Sequence, residues 1–198
     1  MNDKIEQTIE FYDKNIDSLI KRYEKANLDF IHKIILENTN KNDSILELGF
    51  GSGRELNFLF NNGYKNIYGI DGSEKFVEFV KNRFKSDNFK LSILPDINVD
   101  KKFDFIYSIA VFMHLPIYTY EELVKNIYDK LKNKGKLFIS FSLDERDEKE
   151  RYFTKVDEEL LDKLFSQYKI YKQKEIITND SLNRNLNWKN IIYQKNEN

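Results

Sequence analysis

Three of the chain's seven glycines fall within five residues, in Gly49-Phe50-Gly51-Ser52-Gly53. Glycines at this density let a backbone pass close to a ligand and take positive φ angles. The loop follows a short apolar run, Ser44-Ile45-Leu46-Glu47-Leu48, and precedes a stretch with Leu56, Leu59 and Phe60 on one helical face. A strand, a glycine turn and a helix in that order present free N–H groups to an anionic or polar ligand group. Two acids bracket the loop. Glu47 stands just before it, and Asp71 stands 18 residues after Gly53, where the next apolar run ends. An acid at that distance accepts hydrogen bonds from ribose hydroxyls. The spacing is G-x-G-x-G rather than the G-x-G-x-x-G of dinucleotide sites, and Arg54 holds the would-be third glycine position.

Other residues bear on chemistry more loosely. His114 lies in Ser108-Ile-Ala-Val-Phe-Met-His114-Leu-Pro116, directly after an apolar run. Imidazole titrates near neutrality, so His114 is a candidate acid or base, with loop packing as the other reading. His32 shares a helical face with Ile31 and Ile35 and reads as structural. Arg151, in Arg151-Tyr152-Phe153, has the planar fork that holds an anion bidentately. Its neighbours from Asp144 onward alternate in charge and read as a solvated loop. With no cysteine, the chain excludes disulfides, cysteine-ligated zinc and a thiol nucleophile. Two histidines argue against a histidine-rich metal site, and no metal is expected.

The elements that must position these residues follow from periodicity. Ile5, Ile9, Tyr12, Ile16, Leu19, Ile20 and Tyr23 recur at three- and four-residue steps and predict one N-terminal helix. A second helix carries Leu28, Ile31, Ile34 and Ile35. After the glycine loop, strands are expected at 66–70, 89–93, 103–109 and 136–141. Helices between them begin at Ser73, at a Thr119-x-x-Glu122 capping box that runs through Leu131 to a stop at Gly135, and at Thr154-x-x-Asp157. Two strands near 169–177 and 188–194, with no helix between them, predict an antiparallel hairpin. Alternating strands and helices give a parallel sheet. The expectation is one doubly wound, Rossmann-like α/β domain over residues 1–198. It has about seven mostly parallel strands, an N-terminal helical lid over 1–40 and a core over 41–198. The length of 198 residues suits that plan.

The string Glu47-Leu-Gly-Phe-Gly-Ser-Gly53 resembles motif I of the class I S-adenosylmethionine-dependent methyltransferases. Asp71-Gly72-Ser73 resembles the next motif, Phe103-Asp104-Phe105-Ile106 the start of the family's fourth strand, and Leu131-x-x-x-Gly135-x-Leu137 its turn before the fifth. The resemblance covers about residues 40–145, with all four motifs in register. It implies S-adenosylmethionine as cofactor and S-adenosylhomocysteine as product. It places Gly49, Gly51 and Gly53 against the methionine part, with Glu47 bracing the loop or reaching the ligand through water. It gives the ribose to Asp71, and the adenine to the space between Gly72 and Ser92-Ile93-Leu94. Many relatives carry Asp where this chain has Ser92, so backbone groups or the Ser92 hydroxyl stand in for that contact. Arg54 reads as a carboxylate contact or as a solvated arginine. Tyr12, in Phe11-Tyr12-Asp13, resembles an N-terminal element that touches the cofactor, and Ser108 ends the fourth strand beside it. The Met113-His114-Leu115-Pro116 segment resembles one that faces the methyl group in some bacterial members, and Arg151-Tyr152-Phe153, with a Trp188-Lys189-Asn190 pair near the end, resembles a segment of small bacterial members in which the arginine stands over the active-site mouth.

Methyl transfer needs a general base only when the acceptor sheds a proton as it reacts. The reading is therefore an enzyme acting on a small-molecule acceptor, for which a sugar or polysaccharide precursor is one setting, with His114 and Arg151 as candidate catalytic residues. The alternative is a catalytically silent cofactor-binding regulator or partner subunit. A nicotinamide-dependent oxidoreductase is disfavoured by the glycine spacing. A net charge of −1 argues against a nucleic-acid partner. No apolar run approaches the roughly 18 residues of a membrane span. A polar N-terminus, Met1 to Glu10, carries no secretory pattern, so a cytoplasmic monomer or homodimer is expected.

Overall fold

The computed structural model describes residues 3–146, 149–182 and 184–196. Its first strand, β1 (Ile45–Leu48), is only four residues long and entirely buried, as a strand covered on both faces must be. It is flanked by β2 (Ile67–Asp71) and β4 (Phe103–Ile109), both parallel to it. With β3 (Phe89–Leu91), β5 (Leu131–Ser142), β6 (Ile170–Asn179) and β7 (Asn187–Lys195) these form one sheet in the order β3-β2-β1-β4-β5-β7-β6. Only β7 runs antiparallel to its neighbours, which makes the C-terminal hairpin the sequence predicts. Strand order reverses between β1 and β4, and at such a switch point the connections part and leave a crevice beyond the strand ends.

Helices cover both faces. Leu123, Val124 and Ile127 of α6 (Tyr120–Lys130) and Leu161, Leu164 and Phe165 of α7 (Glu158–Gln167) pack on Leu137, Ile139 and Phe141 of β5 and on Ile191 and Tyr193 of β7. The opposite face, with Phe138 and Ile192, lies under α4 (Arg54–Asn61), α5 (Glu74–Phe84) and the N-terminal segment. That segment contributes Leu19 from α2 (Ile16–Glu24) and Ile31, Ile34 and Ile35 from α3 (Asp29–Asn38) to the same core. The N-terminal helices are thus packed against the sheet that carries the glycine loop.

Several boundaries differ from the sequence expectation. The first helix is two, α1 (Asp3–Lys14) and α2, parted at Asn15. There φ is −113° and ψ is 15°, and the side-chain amide donates to the Phe11 carbonyl at 2.8 Å. Asparagine competes with the helix for its own backbone acceptors in this way. The sixth helix stops at Lys130, and Gly135 lies inside β5 instead of ending the helix. The cause is a register shift, because Phe103 pairs with Leu131 while Phe105 pairs with Lys136. A Cβ on Gly135 would stand 2.8 Å from the Lys132 carbonyl and 3.1 Å from that of Phe103, so glycine permits the close backbone approach of this bulge. Thr119 does not cap the sixth helix, since its hydroxyl turns back to the Pro116 carbonyl at 2.7 Å. Asp157, not Thr154, caps the seventh, accepting from Leu160 N–H at 3.0 Å. The third strand ends at Leu91, two residues early, because Ser92 turns away to bond the Asp96 carbonyl and the Asn98 N–H.

Candidate active site

The loop from Gly49 to Gly53 joins β1 to α4 at the switch point. Gly49 takes φ +74°, and a Cβ there would stand 2.5 Å from Val111 Cγ2, so both conformation and space demand glycine. The Gly51 N–H donates to Asp71 Oδ2 at 2.8 Å. Asp71 Oδ1 accepts from the Ser73 N–H at 2.9 Å. The Gly72 N–H also bears on this carboxylate, whose remaining lone-pair capacity suits the vicinal hydroxyls of a ribose. Burial pushes the Asp71 carboxyl up to about 6, against the backbone N–H bonds that pull it down, and nearby Asp13 adds to the rise. Ser73 caps α5 and in turn donates to Asp13 of α1.

Glu47 is buried and accepts the Tyr107 hydroxyl at 2.8 Å. Burial and the like charge of Glu55 hold its carboxyl well above the usual range. Arg54 lies along the cavity wall, with Nε on Glu55 at 2.7 Å and a guanidinium N–H on the Tyr23 carbonyl. It ties the loop helix to α2.

A cavity of about 320 Å³ begins at this loop. It passes Gly72, Ser92, Ile93 and Leu94 on one side and Ala110 to Val111 and Met113 to Leu115 on the other. Beyond them it reaches Arg151, Trp188 and Asn190. Gly72 sits between side chains of α1 and the turn after β3: a Cβ on it would be 3.2 Å from Ile9 and 3.8 Å from Ile93. Ala110, at the end of β4, holds φ +62° with its N–H on the Ser140 carbonyl at 2.8 Å. A non-glycine residue in that conformation stores backbone strain of order 1–3 kcal/mol, and such strain clusters at functional sites.

His114, Tyr12 and Arg151 meet here from three separate elements. His114 Nδ1 lies 2.8 Å from the Tyr152 carbonyl, which can only accept, so Nδ1 carries the proton. In the neutral ring Nε2 is therefore an acceptor, and the Tyr12 hydroxyl at 3.1 Å donates to it. Arg151 donates to Tyr12 Oη at 3.1 Å and packs against the rings of Phe11 and Phe153. Tyr23 hydrogen-bonds Tyr12 from α2. Burial raises the Tyr12 hydroxyl's pKa, and the Arg151 charge opposes that rise. Gln7 and Thr8 of α1 also bond the 149–152 segment, at 2.8 and 3.0 Å. One helix thus spans both ends of the cavity.

The sequence-selected residues divide cleanly. Tyr12, Glu47, Gly49, Gly51, Arg54, Asp71, Gly72, Ser92, Ile93, Leu94, His114 and Arg151 all line the cavity. Gly53 and Ser108 do not appear on its walls: Gly53 begins α4, and the fully buried Ser108 hydroxyl donates to the Leu48 carbonyl. The Ser92 hydroxyl is used within its own turn, which leaves backbone groups of that turn to face a ligand. Tyr23, Ser140 and Thr178, unmarked by any motif, also line the cavity. No cluster of acids and histidines suited to a metal occurs among the described residues.

A sheet ordered β3-β2-β1-β4-β5-β7-β6 with β7 antiparallel, a glycine loop at its switch point and an acid closing the second strand make a class I methyltransferase-type fold. A family model described as a methyltransferase domain matches residues 46–139. A Haemophilus influenzae protein named "Probable S-adenosyl-L-methionine-dependent methyltransferase TehB" is 30% identical over 135 residues, which cover 65% of this chain and 46% of that protein. The chain therefore spans about half the length of the curated relatives it first matches. Among solved structures, the Burkholderia thailandensis 1,6-didemethyltoxoflavin-N1-methyltransferase, bound to 1,6-didemethyltoxoflavin and S-adenosylhomocysteine, aligns with TM-score 0.74 at 14% identity, covering 95% of this chain and 86% of that one. A TehB-like methyltransferase from Corynebacterium glutamicum aligns with TM-score 0.71 at 16% identity, covering 92% and 98%. Residues 46–139 thus match a methyltransferase domain, and the fold is that of the S-adenosylmethionine-dependent methyltransferases. The cavity residues fit S-adenosylmethionine as donor: buried Asp71 has lone pairs for the ribose, and the acids Glu47 and Glu55 beside the loop suit an ammonium group. No helix among the described residues is long and apolar enough to cross a membrane.

Proposed function

We propose that the protein transfers a methyl group from S-adenosylmethionine to a small-molecule acceptor seated at the far end of the cavity. One observation carries this reading. The Gly51–Asp71 bond closes a donor site, and the same cavity continues without a break to His114. Asp71 takes the ribose hydroxyls, Gly49 and Gly51 let the loop approach the methionine part, and Glu47 meets its ammonium. The adenine lies beside Gly72, between Ile9 and Ile93. When bound, the donor supplies a methyl group already activated by its sulfonium, so placement of the acceptor provides much of the rate.

The chain's own residues then manage the proton. The Tyr152 carbonyl fixes the His114 tautomer, and Nε2 takes a proton through Tyr12. Arg151 holds the Tyr12 hydroxyl in line. A proton enters this relay at Tyr23, because the Tyr12 hydroxyl already accepts from Arg151 and Tyr23 while it donates to His114. Such a route serves an acceptor that must be deprotonated, of which a sugar hydroxyl is one. Residues 1–198 act as one unit in this scheme, since α1 supplies Tyr12.

Calorimetric titration with S-adenosylhomocysteine and with NAD tests the donor assignment. Binding of the first and not the second is expected, and tighter binding of NAD would sink it. Release of S-adenosylhomocysteine on incubation with S-adenosylmethionine and a metabolite extract tests turnover. Binding without release would make the chain a silent binding subunit.

A further inference from the structure

The chain has six arginines and 26 lysines, so lysine is its usual cation. The cavity reverses that choice. Arg22, Arg54, Arg146, Arg151 and Arg184 all line it, and among the described residues no lysine does. The two side chains carry the same charge but not the same shape. A planar guanidinium fork meets a carboxylate or a phosphate with two parallel bonds, which an ammonium group cannot do.

The acids on the wall do not balance these charges. Among the described lining residues the carboxyl groups are Glu47, Glu55 and Asp71, and all three stand at the donor end. Arg54 is paired with Glu55 there. Asp180 takes Nε and Nη2 of Arg184, at 2.9 and 2.6 Å. Arg151 serves the Tyr12 hydroxyl, and Arg146 lies over the rings of Phe153 and Trp188. Arg22, near the end of α2, differs from these. Among the described residues its guanidinium has no hydrogen bond and no ion pair. Its Nε is sealed in the wall, whereas Nη1 and Nη2 are not, so the open end of the fork is the part that reaches the cavity. Burial lifts the Tyr23 hydroxyl's pKa well above its ordinary value, and Arg151 and Arg22 are the cations that oppose the rise. Both charges thus lie within electrostatic reach of the hydroxyl where a proton enters the relay. S-adenosylmethionine brings one more positive charge, on its sulfonium. A cavity so loaded favours an acceptor that carries negative charge, because uncompensated charge away from water is costly.

We infer that the acceptor carries an oxyanion, a carboxylate or a phosphate, that the Arg22 fork holds beside Tyr23, and that the methylated atom is a protic group on the same molecule. The inference rests on the methyltransferase reading and names its acceptor class. The oxyanion is the handle, and the relay from Tyr23 to His114 takes the proton of the group that is methylated.

The test uses the full chain saturated with S-adenosylhomocysteine, whose own binding is measured first by calorimetry. Failure at that step is failure of the methyltransferase reading, not of the oxyanion site. Benzoate, phenyl phosphate and benzamide, the neutral isostere of benzoate, are then titrated by ligand-observed NMR. At least one of the two anions is expected to bind about tenfold more tightly than benzamide, and the tighter of them names the handle. Arg22→Gln is expected to erase that preference while benzamide and S-adenosylhomocysteine each bind within about threefold of wild type. A merely structural role would move all the ligands together. Equal binding of the anions and benzamide to the wild type overturns the inference and needs no variant to show it. Full preference retained in Arg22→Gln overturns it as well. So does anion binding that S-adenosylhomocysteine abolishes, or a tenfold loss of S-adenosylhomocysteine affinity in Arg22→Gln, since either result gives the fork to the donor's own carboxylate.

Discussion

Acidification from pH 7 to pH 5 should loosen S-adenosylhomocysteine about tenfold, through Asp71. The carboxyl titrates near 6 in the free protein because burial disfavours its charge. Ionised, both oxygens accept; protonated, one becomes a donor and faces a ribose hydroxyl poorly. Binding therefore selects the ionised form. With a pKa of about 6, roughly nine-tenths of Asp71 is ionised at pH 7 and about one part in eleven at pH 5, a factor of about ten or ~1.4 kcal/mol. Free-protein stability runs the other way. A carboxyl raised from 3.8 to about 6 by folding contributes stability that is full below 3.8 and lost as pH rises through 6, about 3 kcal/mol at most. Calorimetry at pH 7, 6 and 5 on the wild type and Asp71→Asn separates this group from Glu47, the other raised acid of the cavity. Asp71→Asn should bind about 30-fold more weakly at pH 7, the loss of charge on two hydrogen bonds, and lose the slope. A wild-type Kd that changes less than twofold over this range, or an Asp71→Asn variant with the full slope, would refute the reasoning.

Three further outcomes follow from the geometry. Tyr12→Phe and His114→Gln each break the proton route, and each should lower kcat about a hundredfold for a protic acceptor while S-adenosylhomocysteine affinity, read by calorimetry, stays within about threefold. Gly49→Ala forces a Cβ onto Val111 at φ +74° and should destabilise the fold by about 2–3 kcal/mol in a urea melt; adding Val111→Ala relieves the contact but not the dihedral, so rescue is partial. Asp180 accepts from Arg184 and from Trp188, and these bonds outweigh burial and hold its carboxyl well below the usual range. That stability is present above the usual carboxylate pKa and lost as pH falls, so the gap in melting temperature between wild type and Asp180→Ala should narrow below about pH 4.

The donor half of the site is readable in sequence because its determinants are local. A buried parallel strand shows as a near-continuous apolar run, and Ile45 to Leu48 and Phe103 to Ile109 are such runs, interrupted only by Glu47, Asp104 and Ser108. Gly49, Gly51 and Asp71 lie within one βαβ unit, where chain geometry alone brings them together. Even there, a spacing cannot tell a ligand-facing hydroxyl from one consumed at home, and Ser92 and Ser108 both bond within the fold. Element ends were less legible wherever a partner outside the segment decides them. Gly135 reads as a helix stop until the register of β4 shows that it lies in a bulge.

The acceptor half has no such local code. Tyr12 and Arg151 bond across 139 positions, and Tyr12 and His114 across 102. No periodicity links them, and each taken singly is an ordinary aromatic, loop or surface residue. What joins them is the placement of α1, which bonds Ser73 beside the donor loop through Asp13 and the 149–152 segment through Gln7 and Thr8. The same helix therefore registers both halves of the cavity. On the proposed reading a change on α1 reaches both halves, because Ile9 and Asp13 stand at the donor end, whereas a change in the 149–152 segment bears on the far end alone. The contacts that gather the proposed acceptor residues are therefore long in sequence, and those that build the glycine loop and Asp71 are short.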